Sequence, residues 1–293
     1  MRLGALEAGG TKMVCAIGNA NGEIYERISI PTETPEITVP KMIEYFKEKD
    51  IQALGIGCFG PIDLNRKSET YGYITTTPKL AWKNYNIVGA FADALDIPVG
   101  FDTDVNGSAL GEATWGITKG LDNSIYITIG TGVGMGIISN GKLLHGMLHP
   151  EGGHVLLTRH PKDTYGGKCP YHSNCLEGLA AGPAIEARWG KKGIELADKK
   201  EVWELEAYYI GQALVDCIML LSPQRIVLGG GVMHQEHMMP LVREEVKKQL
   251  NGYLVTKELE DLDSYIVLPS LNDNQGIICL LYTSPSPRDR QKS

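Results

Sequence analysis

Two stretches of this chain follow one plan: a short apolar strand, a glycine-rich turn, a second strand and an Asn-Gly dipeptide. In the first, residues 3–8 and 13–18 flank Gly9-Gly10-Thr11 and lead to Asn21-Gly22 and a third β-like run at 23–30. In the second, residues 124–129 and 135–139 flank Gly130-Thr131-Gly132-Val133-Gly134 and lead to Asn140-Gly141. Asn-Gly is the preferred centre of two-residue type I′ hairpins, which need positive φ at both positions. Each half of the chain therefore opens on antiparallel strands, and the echo points to an internal duplication. The remaining pattern alternates. Thr34-Pro35 supplies an N-cap and a first-turn proline for a helix running towards Asp50, a combination suited to helix starts. A strand at 53–58, a long Thr/Gly/Pro-punctuated loop to Lys83, a helix at 87–95, a strand at 99–101 and a helix at 105–115 complete a first lobe. Helices at 177–188, 200–221 and 239–250 and strands at 225–228 and 265–268 follow in the second. Strand-rich openings followed by alternating helix and strand predict α/β lobes with mixed sheets.

At 293 residues and 43% hydrophobic content the chain can bury a large core, and its length favours two lobes with a cleft. The formal charge of -7 and the lack of a Lys/Arg stripe interleaved with aromatics speak against a nucleic-acid surface. No charged-then-apolar leader follows Met1 and no apolar run approaches membrane length, so a cytoplasmic protein without a membrane role is expected. Cys15, Cys58, Cys217 and Cys279 sit in apolar runs and read as buried thiols; only Cys169 and Cys175 remain for chemistry.

Those two cysteines lie in Cys169-Pro-Tyr-His172-Ser-Asn-Cys175-Leu-Glu177, shortly after Glu151-Gly-Gly-His154. His154, Cys169, His172 and Cys175 offer four N/S donors, the complement of a closed tetrahedral structural zinc site with no open catalytic position. Glu151 and Glu177 flank those donors and are free to accept hydrogen bonds from the hydroxyls of a neutral polyol. Three glycine clusters, at Gly9-Gly10, Gly130–Gly134 and Gly229–Gly231, fall at strand ends. Glycine there lets backbone amides approach phosphate oxygens, and the Thr11 and Thr131 hydroxyls add donors. Neither the P-loop nor the dinucleotide fingerprint fits, because Gly130–Gly136 leads into a strand rather than a helix. A hairpin-type phosphate binder fits better. Asp102-Thr-Asp104-Val-Asn106 ends a strand and opens a helix. One aspartate can serve as the cap, but a second acid and an amide exceed that need, so Asp104 is the candidate general base, with Asn106 orienting the attacking hydroxyl and Asp102 next in line.

Taken together, Glu7-Ala-Gly-Gly-Thr-Lys12, Asp104-Val-Asn106 with Gly111-Glu112, and the run from Ile129 through Gly146 to His154 closely resemble the ROK (repressor, open reading frame, kinase) sugar kinases. The Cys169–Gly178 pattern is similar to that of their bacterial fructokinase branch. The resemblance covers about residues 1–280. It implies an actin-like, ribonuclease H-like two-lobed ATPase fold, ATP and Mg²⁺ beside a structural Zn²⁺, a small-molecule sugar acceptor and a homodimer. The implied reaction is phosphorylation of a hexose, with D-fructose favoured; a glucokinase, an N-acetylmannosamine kinase and a non-catalytic sugar-sensing regulator remain as alternatives. Carried over by motif, Gly10, Thr11 and Lys12 lie near the phosphates, with Thr131 and Gly132 on a second phosphate loop. Gly230 and Gly231 then lie near adenosine, Asp104 is the base, Asn106, Glu151, His154 and Glu177 touch the sugar, and His154, Cys169, His172 and Cys175 hold zinc. The expected lobes are 1–117 and 118–272, with the start of a closing helix at 273–280. The first phosphate loop begins at Glu7, so the DNA-binding module of the repressor members is not expected. From about Cys279 the chain departs from the family pattern, and residues 281–293, with Pro285 and Pro287, are expected to be a non-family tail.

Overall fold

The computed structural model describes residues 1–77, 79–272 and 274–283. The chain forms two compact units, one of Met1–Lys119, Leu143–Pro150 and the segment from Ser270, the other of Gly120–Lys142 and Glu151–Pro269.

The first unit opens with β1 (Leu3–Ala8), β2 (Lys12–Gly18) and β3 (Ile24–Pro31), an antiparallel meander. α1 (Pro35–Lys47), β4 (Leu54–Cys58), the two-residue strands β5 (Tyr73–Ile74) and β6 (Tyr85–Asn86), α2 (Ile87–Leu95), β7 (Val99–Thr103) and α3 (Asp104–Thr114) follow. The main sheet runs β3-β2-β1-β4-β7, with β4 parallel to both β1 and β7. Strands β1, β2 and β4 are buried on both faces, as covered strands require, whereas the edge strand β3 alternates. Leu6, Met13, Cys15 and Ile17 join a core with Met42 and Phe46 of α1 and Phe91 of α2. Leu3, Ala5, Val14 and Ala16 meet Ile277, Leu280 and Leu281 of a C-terminal helix, Gln275–Thr283. That helix continues past Cys279, where departure from the family pattern is expected, and Cys279, Leu280 and Leu281 are buried in it. Residues 284–293 of the expected tail lie outside the described residues.

The two Asn-Gly dipeptides behave differently. Asn140 (φ 52°) and Gly141 (φ 72°) both adopt positive φ, as type I′ requires. At Asn21-Gly22 only Gly22 does (φ 82°). There the Asn19 side chain accepts from the amides of Asn21 and Glu23, and the strand register shifts between Ile17 and Gly18. This side-chain turn competes with the two-residue hairpin and wins.

The second unit contains β8 (Ser124–Ile129), β9 (Val133–Ser139), β10 (Lys142–Leu143), α4 (Leu176–Ala180), α5 (Gly182–Trp189), α6 (Lys200–Leu221), β11 (Arg225–Gly229), α7 (Met238–Leu250), α8 (Lys257–Glu260), α9 (Leu262–Tyr265) and β12 (Ile266–Val267). Its sheet runs β10-β9-β8-β11-β12; β8 is antiparallel to β9 and parallel to β11. The single helix expected at 177–188 is two, because Ala181 is extended (φ -70°, ψ 157°) ahead of Gly182-Pro183. Proline lacks an N–H and clashes with the preceding turn, so it fits the first turn of a new helix and not the interior of an old one. Leu143–Pro150, read from chain order as part of the 118–272 lobe, belongs with the first unit, where buried His149 accepts from the Ile62 amide at 3.1 Å. No helix among the described residues is long and apolar enough to cross a membrane.

Candidate functional site

In the first unit, β7 delivers Asp102 and Thr103 directly to the first turn of α3. Thr103 is the N-cap, its hydroxyl accepting from the Asn106 amide at 3.1 Å. Asp102 therefore does not cap the helix. Its Oδ1 accepts from Asn106 Nδ2 at 2.7 Å and its Oδ2 lies 3.0 Å from His145 Nε2. Asn106 Nδ2 is also 3.4 Å from that histidine nitrogen. The hydrogen bond to Asp102 pulls the His145 pKa upward, against the opposing effect of burial. The Asn106 Oδ1 is buried and accepts no hydrogen bond among the described residues. Such an atom calls for a partner from outside the chain. Asp104 is half-buried, and burial pushes its carboxyl up to about 6 despite a 2.9 Å hydrogen bond from the Val105 amide. A cavity of about 450 Å³ includes Asn65, Arg66, Tyr71, Asp102 and His145 in its lining. His145 was missed in the sequence, where a lone histidine in a glycine-containing loop carries no spacing signal.

Farther along α3, the Gly111-Glu112 pair of the sequence motif has a structural explanation. Buried Glu112 accepts from the Ser270 amide and hydroxyl and from the Ile117 amide. It ties the helix to its following turn and to the start of the C-terminal segment.

The β1–β2 turn carries Gly10, Thr11 and Lys12. The Gly9 amide donates to the Lys12 carbonyl at 3.1 Å and the Thr11 carbonyl accepts from the Thr32 amide at 3.0 Å. The amides of Gly10 and Thr11 donate no hydrogen bond among the described residues. They are therefore available to an anion. In the second unit, Thr131 and Gly132 lie in the β8–β9 turn, where the Gly130 amide donates to the Gly132 carbonyl at 2.9 Å. After β11, Gly230 takes φ 88°, a conformation that favours glycine. Thr131 and Gly231, remote in sequence, border one cavity of about 560 Å³ together with Glu186, Lys192 and Trp203.

His154, Cys169, His172 and Cys175 converge in the same unit, with one donor atom from each lying within 4.8 Å of all the others. Cys169 Sγ is 3.7 Å from the Nδ1 atoms of both His154 and His172, and Cys175 Sγ is 3.6 Å from His154 Nδ1. A tetrahedron with ordinary Zn–S and Zn–N bond lengths has S···N edges of about 3.5 Å, so the four residues fit the ion. Burial pushes the Cys175 thiol up to about 11. Glu177, two residues on, uses Oε2 to accept from the Val133 amide at 3.0 Å, while its Oε1 lies 3.9 Å from His154 Nε2. Glu151 is exposed at the N-cap of the turn Gly152–His154 and accepts from the His154 amide at 2.9 Å through its carbonyl.

The ROK family model matches residues 3–282. A Bacillus subtilis (strain 168) protein provisionally named a fructokinase is 54% identical over 277 residues, covering 94% of this chain and 93% of its own. The fructokinase of Pediococcus pentosaceus is 48% identical over 277 residues, covering 94% and 95%. Among solved structures, a ROK family glucokinase from Streptomyces griseus in complex with glucose and AMPPNP superposes with a TM-score of 0.76 at 22% identity, covering 97% of this chain and 99% of that one. The likeness extends to the fold as a whole, an actin-like arrangement of mixed sheets.

Proposed function

This chain belongs to the ROK family, and we propose that it is a hexose kinase that transfers the γ-phosphoryl group of ATP to D-fructose, giving D-fructose 6-phosphate. The near-full-length identity to fructokinases carries the reading. Phosphoryl transfer depends mainly on positioning and charge neutralisation, so glycine turns, hydroxyls and one carboxylate base suffice and no covalent nucleophile is needed. Asp104, with its carboxyl raised to about 6, remains ionised at neutral pH yet is basic enough to take the proton of an attacking sugar hydroxyl. Asn106 Oδ1, lacking a donor of its own, suits a sugar hydroxyl. Glu151, His154 and Glu177 would hold further hydroxyls. Gly10, Thr11, Lys12, Thr131 and Gly132 would receive the phosphates, accompanied by Mg²⁺, and Gly230 and Gly231 the adenosine.

His154, Cys169, His172 and Cys175 would hold zinc, which when bound supplies a closed structural brace and no open coordination position. With His154 Nδ1 directed at the metal, its Nε2 is left as the donor beside Glu177. The family resemblance also implies a homodimer, and sedimentation of the purified protein tests that. A cytoplasmic location agrees with a soluble sugar substrate and with ATP.

A coupled assay with ATP, Mg²⁺ and a panel of fructose, mannose, glucose and N-acetylmannosamine tests the reaction. Fructose is expected to give the highest kcat/KM. A clear preference for glucose or N-acetylmannosamine overturns the acceptor, and no transfer to any hexose overturns the kinase reading in favour of a sugar-sensing regulator.

A further inference from the structure

Lys79 belongs to none of the sequence motifs described above, yet its side chain runs over the β1–β2 turn. A Cβ built on Gly10 would lie 3.1 Å from Lys79 Cε and 3.8 Å from Nζ. A side chain at Gly10 would thus crowd the lysine stem where it lies against the turn. The position of Lys79 is fixed locally. Its amide donates to the Thr77 hydroxyl at 3.3 Å, and its carbonyl accepts from the Trp82 amide at 2.8 Å. Trp82 is 1% exposed, donates its indole N–H to the Glu33 carbonyl at 2.7 Å, and makes edge contacts with Phe59 and Tyr85. An anchored tryptophan three residues away therefore holds the lysine backbone above the turn.

The ammonium itself has no carboxylate partner among the described residues, and the carboxylate of nearby Glu33 is taken by Lys41 at 3.3 Å. Holding a lysine stem against the turn without an ion pair has a cost, because the long side chain loses rotamer freedom with no compensating contact. The turn it lies against carries the unused amides of Gly10 and Thr11. An ammonium and two amides without acceptors thus occur at one turn, the donor set of an anion site.

We propose that Lys79 is a further phosphate-binding residue, its ammonium binding the polyphosphate of the nucleotide together with the β1–β2 turn. The proposal rests on the kinase reading above. Lys79 supplies a point charge, which suits a phosphate chain that shifts as the terminal group departs.

The test compares Lys79→Met and Lys79→Arg with the unaltered protein. Calorimetric titration of ATP, ADP and AMP with Mg²⁺ is set beside the KM for ATP and for fructose. Lys79→Met should weaken ATP by about tenfold or more, the worth of a charge-assisted contact, while AMP affinity and the fructose KM stay within about twofold. Lys79→Arg should recover most of the loss. Unchanged ATP affinity in Lys79→Met overturns the assignment. So does a parallel loss of ATP, AMP and fructose binding with a lowered Tm, which marks a structural residue. If the unaltered protein binds ATP but phosphorylates no hexose, the kinase reading has failed, and the titrations still decide whether Lys79 binds phosphate.

Discussion

Replacing Arg188 by methionine should destabilise the protein by about 3–5 kcal/mol at pH 8, the cost of removing one partner from a buried ionic cluster. Arg188 side-chain exposure is 5%, against 0% for Glu206 and 4% for Asp163. Its Nη1 donates to Glu206 Oε1 at 2.9 Å, its Nη2 pairs with Asp163 Oδ2 at 3.2 Å, and the guanidinium lies 4.8 Å from the Tyr165 ring centroid. Methionine restores most of the volume, so the loss is electrostatic rather than a cavity. Two carboxylates would then share a dry site, with Asp163 still held by the Tyr209 hydroxyl at 2.6 Å and the Tyr165 amide at 3.0 Å but Glu206 left without its guanidinium donor.

The pH dependence has a defined sign. Burial raises the Glu206 carboxyl to about 8 even with the arginine present. A carboxyl raised in the folded state gives stability that is full below its unfolded pKa and lost as pH rises through the folded value. Without the cation the folded value rises further, so the stability deficit of Arg188→Met should be larger at pH 8 than at pH 6. Urea unfolding at both pH values measures it. A deficit below about 1 kcal/mol at pH 8, or a larger deficit at pH 6, refutes the argument. Asp163 and Tyr165 lie in the segment between His154 and Cys169, so retention of bound metal should fall in the same variant.

The proposed roles yield three further expectations. Asp104→Asn should lower kcat by about 10²-fold or more with fructose binding retained; in the unaltered enzyme, kcat/KM should fall as pH drops through about 6, when Asp104 takes up its proton. Near-normal turnover in Asp104→Asn would move the base to Asp102. Elemental analysis should find about one zinc per chain, and chelation should weaken sugar binding more than ATP binding, because donors and sugar contacts share one segment; metal-free protein prepared without chelator would rule the site out. Glu177→Gln should lower kcat/KM for fructose about tenfold while leaving ATP affinity within about twofold, since the amide can still accept from Val133 N but no longer faces His154 with a negative oxygen; equal losses of both would indicate a collapsed turn.

Local chemistry made much of this fold legible. Short apolar runs bounded by glycine turns located β1, β2 and β8, and proline placement located α1. The misses have particular causes. Asn19 overrode the Asn21-Gly22 signal because a side-chain acceptor two residues upstream captured the turn. The C-terminal helix runs to Thr283, just ahead of Pro285: a proline withholds a donor from the carbonyl four residues before it, but the amides of residues 279–283 keep their own N–H groups and can still donate. The clustering of His154, Cys169, His172 and Cys175 could be read from their spacing, since residues close in sequence meet with few intervening contacts. His145, Lys79 and the Arg188–Glu206 pair could not, because their meaning depends on contacts made at long sequence separation and on burial, neither of which a single sequence records.

The C-terminal helix also sets an order of events during synthesis. β1, β2 and β4 are complete by Cys58, but one apolar face of their sheet is covered by Ile277, Leu280 and Leu281, made about 200 residues later. At translation rates of roughly 5–20 residues per second, that face waits on the order of 10–40 s on the ribosome. Most of the second unit emerges within this interval. The half of the protein begun first is therefore expected to finish last, and nascent chains stalled before residue 275 should expose the Leu3, Ala5, Val14 and Ala16 surface to chaperones.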